Sequence, residues 1–258
     1  MMAKDWNKMA KGFDPRPSNC VSYNNGNYTV TLSLADGTMI RYSKDDKLVP
    51  SFPDSMDIKI TNSCSLNCRY CHEKSIKHGQ HGDILSDSFI DKLHPYTQLA
   101  LGGGNVLEHP DFVPFLKKCK KLKLVPSVTV NQIHFMRNHK FLKQLIDEKL
   151  IYGLGISFHH PDKNFLPMLR SFPNAVIHTI AGVTKERDYE FLADNGLKIL
   201  ILGYKKFGRG IQAYQESHQH IDDSIMNLKH LLPYMVKEKW FDSISFDNLA
   251  LEQLDVKS

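Results

Sequence analysis

From Met56 onward, short apolar runs alternate with stretches whose apolar residues recur at helical spacing. The runs at 56–60, 98–101, 127–130, 153–158, 175–180, 198–202 and 243–246 have strand length and predict β-strands. Between them, 86–93, 111–121, 139–150, 163–169, 185–195 and 222–239 carry the 3.6-residue periodicity of amphipathic helices. Ser86 stands before the acidic Asp87, an N-cap signature, and Gly196 follows Asn195 where a helix should stop. Strands that alternate with helices pair in parallel, with the helices covering the sheet.

The segment ahead of this pattern is different. Residues 28–42 read YTVTLSLADGTMIRY, an alternation broken by Ala35, Asp36 and Gly37, which predicts a β-hairpin. A linker at 43–54 with Pro50 and Pro53 follows. The reading is a division into an N-terminal extension, 1–53, and a core, 54–258. Six βα units and a final strand fall short of an eightfold barrel. The expected fold is therefore α/β, a partial (β/α)6-type TIM-like barrel with a short N-terminal β-hairpin extension. In such folds ligands gather at the C-terminal ends of the strands, so the loops there are where chemistry is sought.

Composition narrows the function classes. With 258 residues, 41% hydrophobic and 24% charged, the chain can bury a sizeable core, and disorder as the main state is excluded. A net charge of +5 permits a phosphate-bearing partner without indicating one. The basic run 117–123 lacks interleaved aromatics and reads as a solvated helix face, so no nucleic-acid partner is expected. The polar stretch 1–19 has no signal-peptide apolar segment, and the longest apolar runs, near 175–183 and 198–203, are strand-sized. A soluble, cytoplasmic protein with no membrane partner is expected.

Three of the five cysteines, Cys64, Cys68 and Cys71, lie within eight positions, in a loop that begins where the first core strand ends. An odd, clustered set argues for metal binding over disulfides. Three thiolates on a four-iron cluster would leave one iron open, as a catalytic cluster needs. The competing reading is a structural Cys3His zinc site in a non-catalytic barrel, completed by His72, His78 or His81. Cys20 is isolated, and Cys119 sits beside Phe115 and Leu116 on a helical face, where cysteine packs as a small apolar residue.

The spacing Cys64-x3-Cys68-x2-Cys71, with Tyr70 just before the third cysteine, resembles the radical S-adenosylmethionine (radical SAM) superfamily. The likeness spans 56 to about 246. It implies that Cys64, Cys68 and Cys71 bind a catalytic 4Fe-4S cluster whose open iron is chelated by S-adenosyl-L-methionine (SAM). An electron from an external donor, such as a flavodoxin or ferredoxin, would then cleave SAM to a 5'-deoxyadenosyl radical that abstracts hydrogen from an unidentified substrate. The loop Gly102-Gly103-Gly104-Asn105 is similar to the family's Gly-Gly-Glu motif at the SAM ammonium, but Gly104 and Asn105 stand where an acidic residue is usual, and Glu108 is the nearest acid. The resemblance also implies Tyr70 at the adenine, and Asn131 and Ser157, at the ends of the third and fourth strands, as SAM contacts. A variant that keeps the cluster but only binds a partner would also fit the altered acidic position.

Further residues are candidates for substrate or SAM. His159 and His160 follow the fourth strand, and Arg209, in the basic loop 203–210, offers a bidentate donor pair for a carboxylate or phosphate. His178, inside the fifth strand, reads as a hydrogen-bonded core histidine. The tail from 247 to 258 leaves little room for another helix.

Overall fold

The computed structural model describes residues 19–86 and 88–256, which divide into two compact units, 1–54 and 55–258. Most of the stretch read above for a signal peptide lies outside the described residues, as does Asp87.

The first unit is a three-stranded antiparallel sheet, β1 (Cys20–Asn25), β2 (Tyr28–Ser33) and β3 (Met39–Tyr42), in that order. The expected hairpin is its second half, and β1 is an addition. Asn25 pairs with Tyr28 across the two-residue turn Gly26-Asn27, a turn signal that a reading beginning at Tyr28 left out. Tyr28, Val30 and Leu32 face inward along β2. The buried Asp54 accepts two 2.8 Å hydrogen bonds from Arg41 and one of 2.8 Å from the Tyr28 hydroxyl. The fully buried Asn25 accepts from the backbone N–H groups of Ser51 and Phe52.

The second unit holds seven parallel strands in chain order: β4 (Ser55–Thr61), β5 (Gln98–Gly103), β6 (Val125–Asn131), β7 (Gly153–Ser157), β8 (Val176–Ile180), β9 (Lys198–Leu202) and β10 (Ser243–Phe246). The edge strands β4 and β10 each have one neighbour, so the sheet is open and no closed barrel forms among the described residues. Helices α1 (Phe112–Lys121), α2 (Gln132–Asp147), α3 (Phe165–Leu169), α4 (Glu186–Leu192), α5 (Arg209–Lys237) and α6 (Asn248–Gln253) follow the strands. Alternate strand residues, among them Leu101, Val128, Val130, Ile156, Ile177 and Ile201, are buried in one cluster with Phe115 of α1, Phe135 of α2, Tyr189 of α4 and Met235 of α5. Each such side chain contributes roughly 1.5–3 kcal/mol on burial. The intervening residues Thr129, Asn131, Ser157 and His178 are left on the other face, at the site.

Four expectations are corrected. Among the described residues of 86–93 only a 3-10 turn, Ile90–Lys92, forms, and Ser86 is taken up by Asp83, which accepts from its backbone N–H and hydroxyl. Helix α2 starts at Gln132, seven residues before the expected 139, because Asn131 caps it and its early inward positions, Gln132 and His134, are polar. Helix α5 starts at Arg209, and a break at Ser217 (φ −147°) hides the first part from a periodicity count. The tail does form a helix, α6, whose N-cap Asp247 accepts from the N–H groups of Ala250 and Gly203. No described helix is long and apolar enough to cross a membrane.

Candidate functional site

A cavity of about 470 Å³ opens at the C-terminal ends of the strands, lined by residues of β4 through β9 and of the loops that follow them. The cysteine loop forms one wall. It leaves β4 and doubles back beside it, with Cys64 N–H donating to the Ile76 carbonyl (2.9 Å), Asn62 N–H to that of Gln80 (2.8 Å) and Gly82 N–H to that of Ile60 (2.9 Å). A turn closed by Cys71 N–H on the Cys68 carbonyl (3.2 Å) carries the second and third thiols. Cys68, Tyr70 and Cys71 line the cavity; Cys64 lies on the same loop outside the lining.

All three thiols are free and partly buried. Burial pushes the Cys64 and Cys68 thiols up, and each raises or is raised by another cysteine of the set, so the loop holds them within electrostatic reach. The Tyr70 hydroxyl is pushed up to about 12, first by burial and then by Cys68 and Cys71. Among the described residues no three His, Cys, Asp or Glu side chains close on a single ion. Two of the three histidines weighed for zinc have other partners: His72 Nε2 stands 3.3 Å from Glu73, and His81 Nδ1 is 2.9 Å from the Thr61 hydroxyl. A set of three thiols on one loop is chemistry that suits iron–sulfur binding.

Two contacts hold the loop from the β5 side. Gly103 has φ +109°, and a Cβ on Gly104 would lie 2.0 Å from the Ser63 carbonyl oxygen, so both glycines serve the close approach of the cysteine loop. A Cβ on Gly102 would meet nothing within 4 Å, which leaves Gly102 as the glycine with an open face on the cavity. Glu108 accepts from the Ser63 hydroxyl (3.0 Å), the Ser65 hydroxyl (3.1 Å) and the Asn105 amide (3.1 Å). Burial raises its carboxyl, but these hydrogen bonds outweigh that and hold it below the usual range. Glu108 is thus turned toward the cysteine loop, and it is not among the residues that line the cavity.

The remaining candidates separate. Asn131 lines the cavity, yet its side-chain Oδ1 caps α2 by accepting from Ile133 N–H (2.9 Å), leaving the side-chain Nδ2 for a ligand. Ser157 lines the cavity opposite His178, its register partner on β8. His159 and His160 do not line it; the buried Gln132 fastens their backbone, accepting from both N–H groups and donating to the His160 carbonyl. Arg209 is no free anion clamp. Its Nε donates to the Cys68 carbonyl (2.8 Å) and its Nη1 to that of Ser75 (2.9 Å).

Solved structures of SuiB from Streptococcus suis share this architecture. The structure bound to S-adenosylmethionine matches with TM-score 0.52 at 11% identity, over 90% of this chain and 72% of that one. The structure bound to the precursor peptide SuiA matches with TM-score 0.53 at 11% identity, over 94% and 76%. The chain has a radical SAM-like fold. No family model matches the sequence, and no curated protein does.

Within that radical SAM-like fold, two features escaped sequence reasoning. Ser63, Ser65 and Asn105 form a polar net around Glu108 whose members are 45 or fewer residues apart but carry no motif. His178 was read as a satisfied core residue, yet its ring makes no hydrogen bond to any described residue and lines the cavity. Burial pushes it down to about 4, so it is neutral at physiological pH. A Cβ on Gly155 would lie 2.6 Å from the ring, so the glycine makes the imidazole's room.

Proposed function

We propose that this chain is a radical SAM enzyme, with 54–258 as the catalytic core and 1–53 as an extension. The observation that carries the reading is three free thiols on the loop after β4, beside a cavity lined by six successive parallel strands. A sheet whose six strands all reach one cavity curves around it, which supports a partial barrel. Cys64, Cys68 and Cys71 would hold a 4Fe-4S cluster. A multi-iron cluster takes each thiolate on a different iron, so the sulfurs need to ring a volume and not a point. When bound, the cluster supplies the electron that splits SAM and so releases a 5'-deoxyadenosyl radical able to take a hydrogen atom from a substrate.

The chain's own residues bind, orient and exclude water. Gly102 presents bare backbone to the SAM amino acid end, with Gly103 and Gly104 shaping its loop. The Asn131 amide and the Ser157 hydroxyl suit the ribose and carboxylate of SAM, and Tyr70 packs at the adenine. The substrate is unidentified; the peptide seated on SuiB makes a peptide the first class to assay. The reading places the enzyme in the cytoplasm with an external electron donor of the flavodoxin or ferredoxin kind.

The test is anaerobic reconstitution with iron and sulfide, followed by assay of 5'-deoxyadenosine after addition of SAM and dithionite. The expected result is a brown protein that forms 5'-deoxyadenosine, and replacement of Cys64, Cys68 or Cys71 by Ala abolishes it. A colourless protein that carries zinc, or a turnover that survives a single cysteine replacement, overturns the reading.

A further inference from the structure

The start of α5 reaches back to the cysteine loop across some 140 positions of sequence and contacts its backbone carbonyls. Arg209 spans the turn that bears Cys68 and Cys71. Its Nε donates to the carbonyl of Cys68 (2.8 Å), its backbone N–H to that of Cys71 (3.0 Å), and its Nη1 to that of Ser75 (2.9 Å). Three donors of one residue thus hold both cysteines of the turn and the segment that returns from it. Gly208, just before it, has φ +57°, and a Cβ there would lie 2.3 Å from the His72 carbonyl oxygen. No residue with a side chain fits that approach without displacing the turn.

Arg209 makes no ion pair with a described residue. All its assigned acceptors are neutral carbonyls, so its full positive charge remains beside the thiols. A guanidinium fork fixes two acceptors in one plane, and an ammonium at the same place does not.

We propose that Arg209 is a positioning residue that fixes the turn carrying Cys68 and Cys71 so that both thiols face the cavity, and that its unneutralised charge sets the electrostatic field at those sulfurs. The first half stands on the contacts alone; the second rests on the radical SAM reading. The two halves separate experimentally, because Lys keeps the charge but not the fork, and Met keeps neither.

The experiment takes the metal-free full chain, with Arg209→Lys and Arg209→Met, and measures amide hydrogen exchange. Exchange at Cys71 and Lys74, whose N–H groups close the turn, is expected to quicken at least tenfold in both variants, with β6 to β8 unchanged. Unchanged exchange in the turn, or a uniform acceleration through the whole chain, overturns positioning. Where Arg209→Met does not fold, Arg209→Lys decides the positioning half, and Arg209→Gln, which is neutral but keeps a polar donor, takes the place of Met for the charge half. After loading with iron and sulfide, the reduction midpoint read by electron paramagnetic resonance is expected to fall in Arg209→Met and to hold in Arg209→Lys, since a nearby cation favours the state with the added electron. A midpoint unmoved in Arg209→Met overturns the charge half. A native chain that takes up no iron, with the exchange result intact, defeats the radical SAM reading and leaves the positioning role standing.

Discussion

Two arginines, Arg41 on strand β3 of the first unit and Arg209 at the start of helix α5 in the second, are held in opposite ways. Arg41 meets the Asp54 carboxylate in a two-bond fork at 2.8 Å, with the Tyr28 hydroxyl completing the carboxylate's shell. Arg209 meets only carbonyl oxygens. The first arrangement neutralises charge and serves stability. The second ties down backbone while leaving a net cation next to thiols that would have to become anionic to hold the proposed cluster. What links Arg209 to the site is its contact with the carbonyls of Cys68 and Cys71.

The largest effect expected from breaking the comparison is in the first unit. Asp54→Ala leaves the Arg41 guanidinium without its partner, and loss of one member of a buried pair costs about 3–5 kcal/mol. The Arg41 side chain is 34% exposed, so water recovers part of this and a loss of about 2 kcal/mol is expected in denaturant unfolding. Acid should reproduce it. The Arg41 hydrogen bonds hold the Asp54 carboxyl below the usual carboxylate range, more than burial raises it. A carboxyl lowered in the folded state contributes stability that is present above its unfolded pKa of about 3.9, and that is lost as pH falls through the lower folded value. Melting temperature followed downward from pH 5 should therefore drop less steeply in Asp54→Ala than in the native chain.

Glu108 sharpens the contrast from the other side, as a carboxylate held by hydroxyl and amide donors with no lysine or arginine paired to it. Glu108→Gln keeps the shape and one acceptor oxygen but weakens two or three charge-assisted bonds. An effect of about 1 kcal/mol on unfolding is expected, with faster hydrogen exchange confined to 61–65 and 102–105. A uniform effect would mean that Glu108 contributes to general stability and does not anchor the cysteine loop.

The strands were legible because each apolar run of β4 to β10 is short and bounded by polar residues, and the cysteine spacing was legible because it is local. What the sequence could not show depends on partners distant along the chain. Arg209 looks like an anion-binding residue until the carbonyls of Cys68 and Ser75 appear beside it. Asn131 carries two signals at once, a helix cap and a cavity-lining amide, and only the second was read from its place at a strand end. Glu108 is ambiguous for the same reason, since its serine partners lie 43 and 45 positions away. The fold follows from periodicity, while the site's second layer follows from tertiary contact.

The smallest effect expected is at His178, and its smallness is informative. An imidazole that makes no hydrogen bond within the described chain contributes no polar interaction to folding, so replacing it by a ring of similar size removes a desolvation cost and loses little else. His178→Phe should therefore unfold within about 1 kcal/mol of the native chain, on the stable side if it moves at all. A satisfied core histidine would behave otherwise, costing more than about 1 kcal/mol when its partner is stranded. If stability holds while equilibrium dialysis shows SAM bound several-fold more weakly, the ring faces a ligand whose polar, uncharged group completes it. If both hold, His178 lines the cavity without touching SAM, and its partner is the substrate or water.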